Sequence, residues 1–149
     1  MADSKVAAHQ HMSGGERAVD GLIAGIGAGI LMALYVVLAG LMSGDGPAQV
    51  LSRFDPSATP SPVMGTIVHL AVASIYGLLF GLISRWLARG RRLNALFSGL
   101  VYGLLIFVLA QRVVLQSTNA ALREMASVHL AVGHVIYGLS LGFVLGRNL

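Results

Sequence analysis

The chain has 149 residues, 56% of them apolar and 11% charged, with a formal net charge of +4 and no cysteine. Water-soluble domains carry about 25% charged residues, so this composition places the chain in a membrane rather than in water. Without cysteine there are no disulfides, thiolate metal sites, thioether haem attachments or cysteine nucleophiles. The basic balance could suggest nucleic acid, but most basic residues flank apolar segments, where membrane topology accounts for them, and no nucleic-acid partner is expected.

Residues 1–20, "MADSKVAAHQHMSGGERAVD", are polar and mixed in charge and lack the features of a signal peptide. They read as a cytoplasmic tail, mobile or interfacial, in which His9 and His11 are incidental. A helix needs about 20 apolar residues to cross a hydrocarbon core, and the charge-free run 21–43 meets that requirement as a first span. Its "GIGAG" is no dinucleotide loop, because no strand precedes it. A turn-rich loop with Pro47, Pro56, Pro60 and Pro62 follows, and its "VLSRF" piece is a candidate for the membrane surface.

The second span covers about 63–85 and ends at Trp86, an aromatic suited to the headgroup layer. Arg85, Arg89, Arg91 and Arg92 then form a basic cluster, a topology signal that is also a candidate for anionic headgroups. A third span covers about 93–110. Ser117, Thr118 and Asn119 are candidate caps for the fourth span, which covers about 125–146 and stops at Arg147. The transmembrane domain is thus 21–147.

With four spans, both termini and the connection between spans 2 and 3 share one side of the membrane. That side carries Lys5, Arg17, Arg85, Arg89, Arg91, Arg92 and Arg147, against Arg53, Arg112 and Arg123 on the other. The positive-inside rule makes both termini cytoplasmic. The expected location is therefore the inner (plasma) membrane of a bacterial cell, crossed several times.

Lipid tails are as apolar as leucine, so leucine burial cannot drive these helices together, whereas close backbone approach at small residues can. Every span has such a row: Gly21, Gly25 and Gly29; Gly77 and Gly81; Gly99 and Gly103; Gly138, Gly142 and Gly146. These rows predict a compact bundle of two helical hairpins, spans 1–2 and 3–4.

His69 and His134 each lie on a glycine row, Tyr76 and Tyr137 each precede a row glycine, and "HLAV" occurs at both His69 and His129. The repeat is out of step by one residue, which turns His129 about 100° from the His69 arrangement unless a π-bulge near Gly133–His134 absorbs it. One reading has each histidine donate to a backbone carbonyl or meet a tyrosine across a helix contact. The alternative has His69, with His129 or His134, ligate haem b or a chlorophyll. No metal site is expected, because His129 and His134 do not share a helix face and no carboxylate lies within a span.

"GLIAGIGAGILMALY", "HLAVASIYGLLFG", "GLVYGLL" and "HLAVGHVIYG" together resemble small uncharacterised bacterial four-helix inner-membrane proteins. The resemblance spans about residues 21–146 and implies the same architecture and location. The expected fold is all-α, a four-transmembrane-helix bundle with both termini cytoplasmic. The expected role is non-enzymatic: an accessory subunit that meets other membrane subunits in the bilayer, plausibly in an energy-transducing complex. Two alternatives stand beside it, the tetrapyrrole carrier and a small transporter whose polar path includes the histidines, Ser74, Tyr76, Tyr102 and Tyr137.

Overall fold

The computed structural model describes residues 13–88, 92–114, 123 and 125–148. The chain order is α1 (Gly14–Met42), α2 (Pro47–Ser52), α3 (Pro62–Ala88), α4 (Arg92–Leu109), a π-helical turn (Ala110–Val114), α5 (Ser127–Leu145) and a closing 3₁₀ turn (Gly146–Asn148). Helices α1, α3, α4 and α5 are all long and apolar enough to cross a membrane.

Helix α1 begins seven residues before the expected first span. The reason is local: Ser13 Oγ accepts from Glu16 N–H while the Glu16 carboxylate accepts from Ser13 N–H, a capping box that satisfies donors at the helix start. At 1.5 Å per residue the 29-residue helix is about 43 Å long, so its first turns project beyond a hydrocarbon core of about 30 Å. The tail reading of residues 1–20 therefore gives way to helix from Gly14 onward, and residues 1–12 lie outside the described ones.

Helix α5 runs unbroken from Ser127 to Leu145, so no π-bulge occurs near Gly133–His134. Regular i→i+4 bonding there leaves the one-residue offset of the repeat uncompensated. Among the described residues, π geometry occurs instead at Ala110–Val114, where it continues the third span. Ala126, which has no side-chain cap, precedes α5, and Ser117, Thr118 and Asn119 lie outside the described residues. So do Arg89 and Arg91.

Glycine backbones join the helices in pairs. A Cβ at Gly25 would lie 2.9 Å from Gly77 Cα, and one at Gly81 2.9 Å from Gly21 Cα. In the second pair, a Cβ at Gly103 would lie 3.1 Å from Gly138 Cα, and one at Gly99 2.9 Å from Gly142 Cα. The spans thus form the hairpins α1–α3 and α4–α5. Gly29 extends the first contact onto Ala73, Gly142 extends the second onto Ala95 and Leu96, and buried Gly146 ends α5.

The hairpins meet through α1 and α5, where Gly133 faces Met32 and Val36. The four long helices form a ring whose loosest seam lies between α3 and α4. Outward faces are apolar, as with Ile23, Leu34, Ile75, Phe97 and Leu105. An exposed apolar surface of this extent suits lipid contact. Serine hydroxyls within the spans bond their own helices, Ser84 to Gly81 O, Ser98 to Asn94 O and Ser140 to Ile136 O, as suits a waterless medium.

Helix α2 caps one end of the bundle rather than lying apart from it. Gly46 precedes it and Pro47 occupies its first turn. Val50, fully buried, packs on Gly40, and the Leu51 carbonyl lies against Gly65, where a Cβ would collide with it.

Two substitutions separate backbone contact from glycine content. Gly77→Leu is expected to lower stability by about 3 kcal/mol or more, since the side chain would meet backbone of α1. Gly27→Leu, whose Cβ would meet nothing within 4 Å, should change it by less than about 0.5 kcal/mol. Unfolding in mixed micelles measures both, and equal losses would contradict this packing.

Candidate functional site

The polar side chains of the spans converge near the end of the bundle that α2 caps. His69 lies seven residues into α3 and His134 seven into α5, each about 10 Å from its helix start. His69 Nε2 donates to Gly29 O at 3.0 Å, extending the α1–α3 glycine contact by one more rung. His134 Nδ1 donates to Leu130 O at 2.7 Å, one turn back on its own helix. His129 points elsewhere, with its Nδ1 3.2 Å from the Tyr35 hydroxyl. That divergence follows from the straight α5, which keeps His129 rotated away from the face that carries His134.

The tyrosines tie the two hairpins together. Tyr137 OH donates to Ala73 O at 2.6 Å and Tyr102 OH donates to Tyr76 O at 2.7 Å. Both acceptors are carbonyls of α3, so α4 and α5 each place one phenol against the same helix. Tyr76 itself contributes a hydroxyl with no hydrogen bond among the described residues. Ser74 donates to Ala71 O on its own helix and is not among the residues that line the cavity described next.

Between these groups lies a cavity of about 300 Å³. Its walls include His69, Ala73 and Tyr76 of α3, Ile106 and Phe107 of α4, and His134 and Tyr137 of α5, with Met32 of α1 behind them. Phe54, from the loop after α2, closes one end, its ring 4.5 Å from that of His69. Phe107 lies 5.7 Å from the His134 ring, and Gln111, on the π-helical turn, adds an amide. A second space of about 370 Å³ continues along the α3–α4 seam, sharing Tyr76 and Ile106 with the first. This second space thus lies along the loosest seam of the ring.

The hydrogen bonds fix what each histidine offers. Because Nδ1 of His134 donates to a carbonyl, neutral His134 carries its lone pair on Nε2, an acceptor without a partner among the described residues. Arg17 Nε is the one side-chain nitrogen or oxygen among those residues that is fully buried without a hydrogen bond, and His134 lines the cavity. His69 has its Nε2 already engaged and offers only Nδ1. A macrocycle held between two Nε2 ligands does not match this arrangement, and His129 does not line the cavity. The candidate tetrapyrrole set of His69, His129 and His134 is therefore divided: two rings reach one cavity and one belongs to a different contact. Among the described residues no cluster of three metal-binding side chains occurs.

The loop that carries Phe54 is built by charge. Arg53 Nη1 donates to Asp45 Oδ2 at 2.7 Å, and the Asp55 carboxylate accepts from Ser57 N–H and Ser61 N–H, each at 2.9 Å. On the opposite membrane side, Trp86 is exposed at the end of α3 as a headgroup anchor would be. Arg85 and Arg92 fall within the helical backbone of α3 and α4.

Phe54, Phe107, Gln111 and Tyr35 were not singled out in the sequence. Phe54 and Gln111 were marked only by position, an aromatic within a charged loop and the first polar residue after an apolar run.

A family model described as "Family of unknown function (DUF6789)" matches residues 15–148. The chain belongs to this family. The match begins beside the capping box of α1 and ends in the turn after α5, so the family unit is the whole bundle. No curated protein and no solved structure matches the chain.

Two expectations follow from these contacts. Tyr137→Phe and Tyr102→Phe should each cost about 0.6 kcal/mol, the typical worth of an interhelical hydrogen bond in a membrane, and a change above about 2 kcal/mol would contradict that role. The Asp55 carboxyl is held below its ordinary value near 3.8 by the Ser61 and then the Ser57 backbone N–H. Its contribution is therefore complete above that ordinary value and is lost as pH falls through the depressed one. Protection of the Ser57 and Ser61 amides from exchange, relative to a free peptide at the same pH, should fall below about pH 4 in the native chain and already be lost at pH 7 in Asp55→Ala. Unchanged exchange in the variant would contradict the assignment.

Proposed function

We propose that this multi-pass membrane protein is a non-enzymatic carrier that holds one lipid-soluble molecule in the cavity between α3, α4 and α5. The observation that carries the reading is the cavity itself. It has the size of a small ligand site, with mostly apolar walls, few polar groups and an opening along the loosest helix seam. Access from lipid suits a molecule that never needs to leave the bilayer.

The remaining assignments belong to the same proposal. The excess of arginine and lysine at the termini and between α3 and α4 supports cytoplasmic termini in a bacterial plasma membrane, with the cavity in the outer half. A carrier of this kind serves as an accessory subunit, storing or presenting its ligand to a larger membrane assembly. The glycine rows make their contacts within the chain rather than with a partner. The outward apolar faces remain available to partner helices.

Organic extraction of the full chain purified in mild detergent, followed by mass spectrometry, tests the reading. One lipid-soluble compound should be recovered at about one per chain, and Ala110→Phe, which fills the cavity from the π-helical turn, should remove it. Identical extracts from both proteins would overturn the proposal.

A further inference from the structure

We infer that the ligand is a quinol: an aromatic head with hydroxyl groups, bound in the outer-half cavity, and an alkyl tail laid along the α3–α4 groove. This assignment rests on the cavity being a binding site and names the class of molecule it takes.

The head is specified by complementary hydrogen-bonding groups. His134 Nε2 is an acceptor, because Nδ1 is committed as a donor to Leu130 O. It calls for a ligand O–H. The Tyr76 hydroxyl, without a partner among the described residues, donates to a ligand oxygen, and the Gln111 amide both donates and accepts. Phe54 and Phe107 supply flat apolar walls next to the two imidazole rings. A small aromatic ring bearing hydroxyls at opposite edges answers all of these features.

The tail is specified by shape. The groove that leaves the cavity at Tyr76 and Ile106 continues past Leu79, Leu82, Leu105 and Leu109, and the Tyr102 hydroxyl beside it is already engaged by Tyr76 O. From Tyr76 to Leu82 it follows α3 for about 9 Å along the bilayer. An alkyl or prenyl chain fits such a channel.

Other lipid-soluble classes fit less well. Among the described residues lining the two spaces there is no cation, so a phosphate headgroup or a fatty carboxylate would be buried without a counter-charge. A plain hydrocarbon would leave His134 Nε2 and the Tyr76 hydroxyl unsatisfied once water was displaced, and a sterol has a single hydroxyl to offer these groups on two different helices. The oxidised quinone has two carbonyls and no donor, so it satisfies Tyr76 but not His134. The geometry therefore favours the reduced form.

Competition binding to the full chain in detergent, kept anaerobic, tests this with radiolabelled decylubiquinol against three unlabelled probes: decylubiquinol, decylubiquinone and decylbenzene. The native chain should bind the quinol at least tenfold more tightly than the quinone, and the quinone more tightly than decylbenzene. His134→Ala should weaken the quinol at least tenfold and abolish its advantage over the quinone while leaving decylbenzene unchanged. Tyr76→Phe, which removes a hydroxyl without a hydrogen bond among the described residues, should weaken both oxygenated probes and spare decylbenzene. Equal binding of all three probes, or a quinol preference that survives in His134→Ala, would overturn the quinol assignment while leaving a generic lipid site. Failure of every probe to bind, together with an extract that Ala110→Phe leaves unaltered, would overturn the carrier reading itself.

Discussion

Inside a bilayer, two helices gain nothing by exchanging lipid contacts for leucine contacts, so their association depends on how closely their backbones approach. In this protein that approach is made at glycines facing glycines. Gly21 and Gly25 meet Gly77 and Gly81; Gly99 and Gly103 meet Gly138 and Gly142. A side chain at most of these positions would strike main-chain atoms of the partner helix, which cannot move aside as a flexible side chain can. Each hairpin is therefore a tight unit, and the looser geometry of the molecule is displaced to the junction between hairpins.

That division has a functional consequence. One junction, α1 against α5, closes around Gly133, Met32 and Val36. The other, α3 against α4, does not close, and the gap there holds the cavity and its groove. Tyr137 and Tyr102 bridge the gap with hydrogen bonds to α3 carbonyls, keeping the hairpins in register without filling the space between them. The tight contacts set the scaffold and the loose seam provides the chemistry, since there polar groups face a space that a ligand could occupy.

Much of the fold was legible because membrane insertion imposes strong rules on sequence. Charge-free runs marked the spans, and glycines spaced by four marked the faces that meet. Less was legible at the helix ends. The Ser13–Glu16 box was present in the sequence, but its place in a polar stretch concealed a helix that overruns the bilayer. The π-helical turn at Ala110–Val114 and the packing of α2 depend on tertiary contacts that no local pattern announces. The histidines show the limit most clearly. The repeat around His69 and His129 suggested equivalent roles, whereas a straight α5 sends His129 to Tyr35 and leaves His134 beside the cavity. Which nitrogen of each ring remains free was decided by the carbonyl it meets, Gly29 or Leu130, and that is a matter of three-dimensional placement.

Glycine-locked hairpins leave a space between α3 and α4 that we propose is occupied by a ligand. A crystal structure of the full chain grown from a lipidic mesophase tests it most directly. The expected result is an open α3–α4 seam with non-protein density running from His134 into the groove beside Leu79 and Leu105. A seam closed by its own side chains, with no space beside His134, would contradict it.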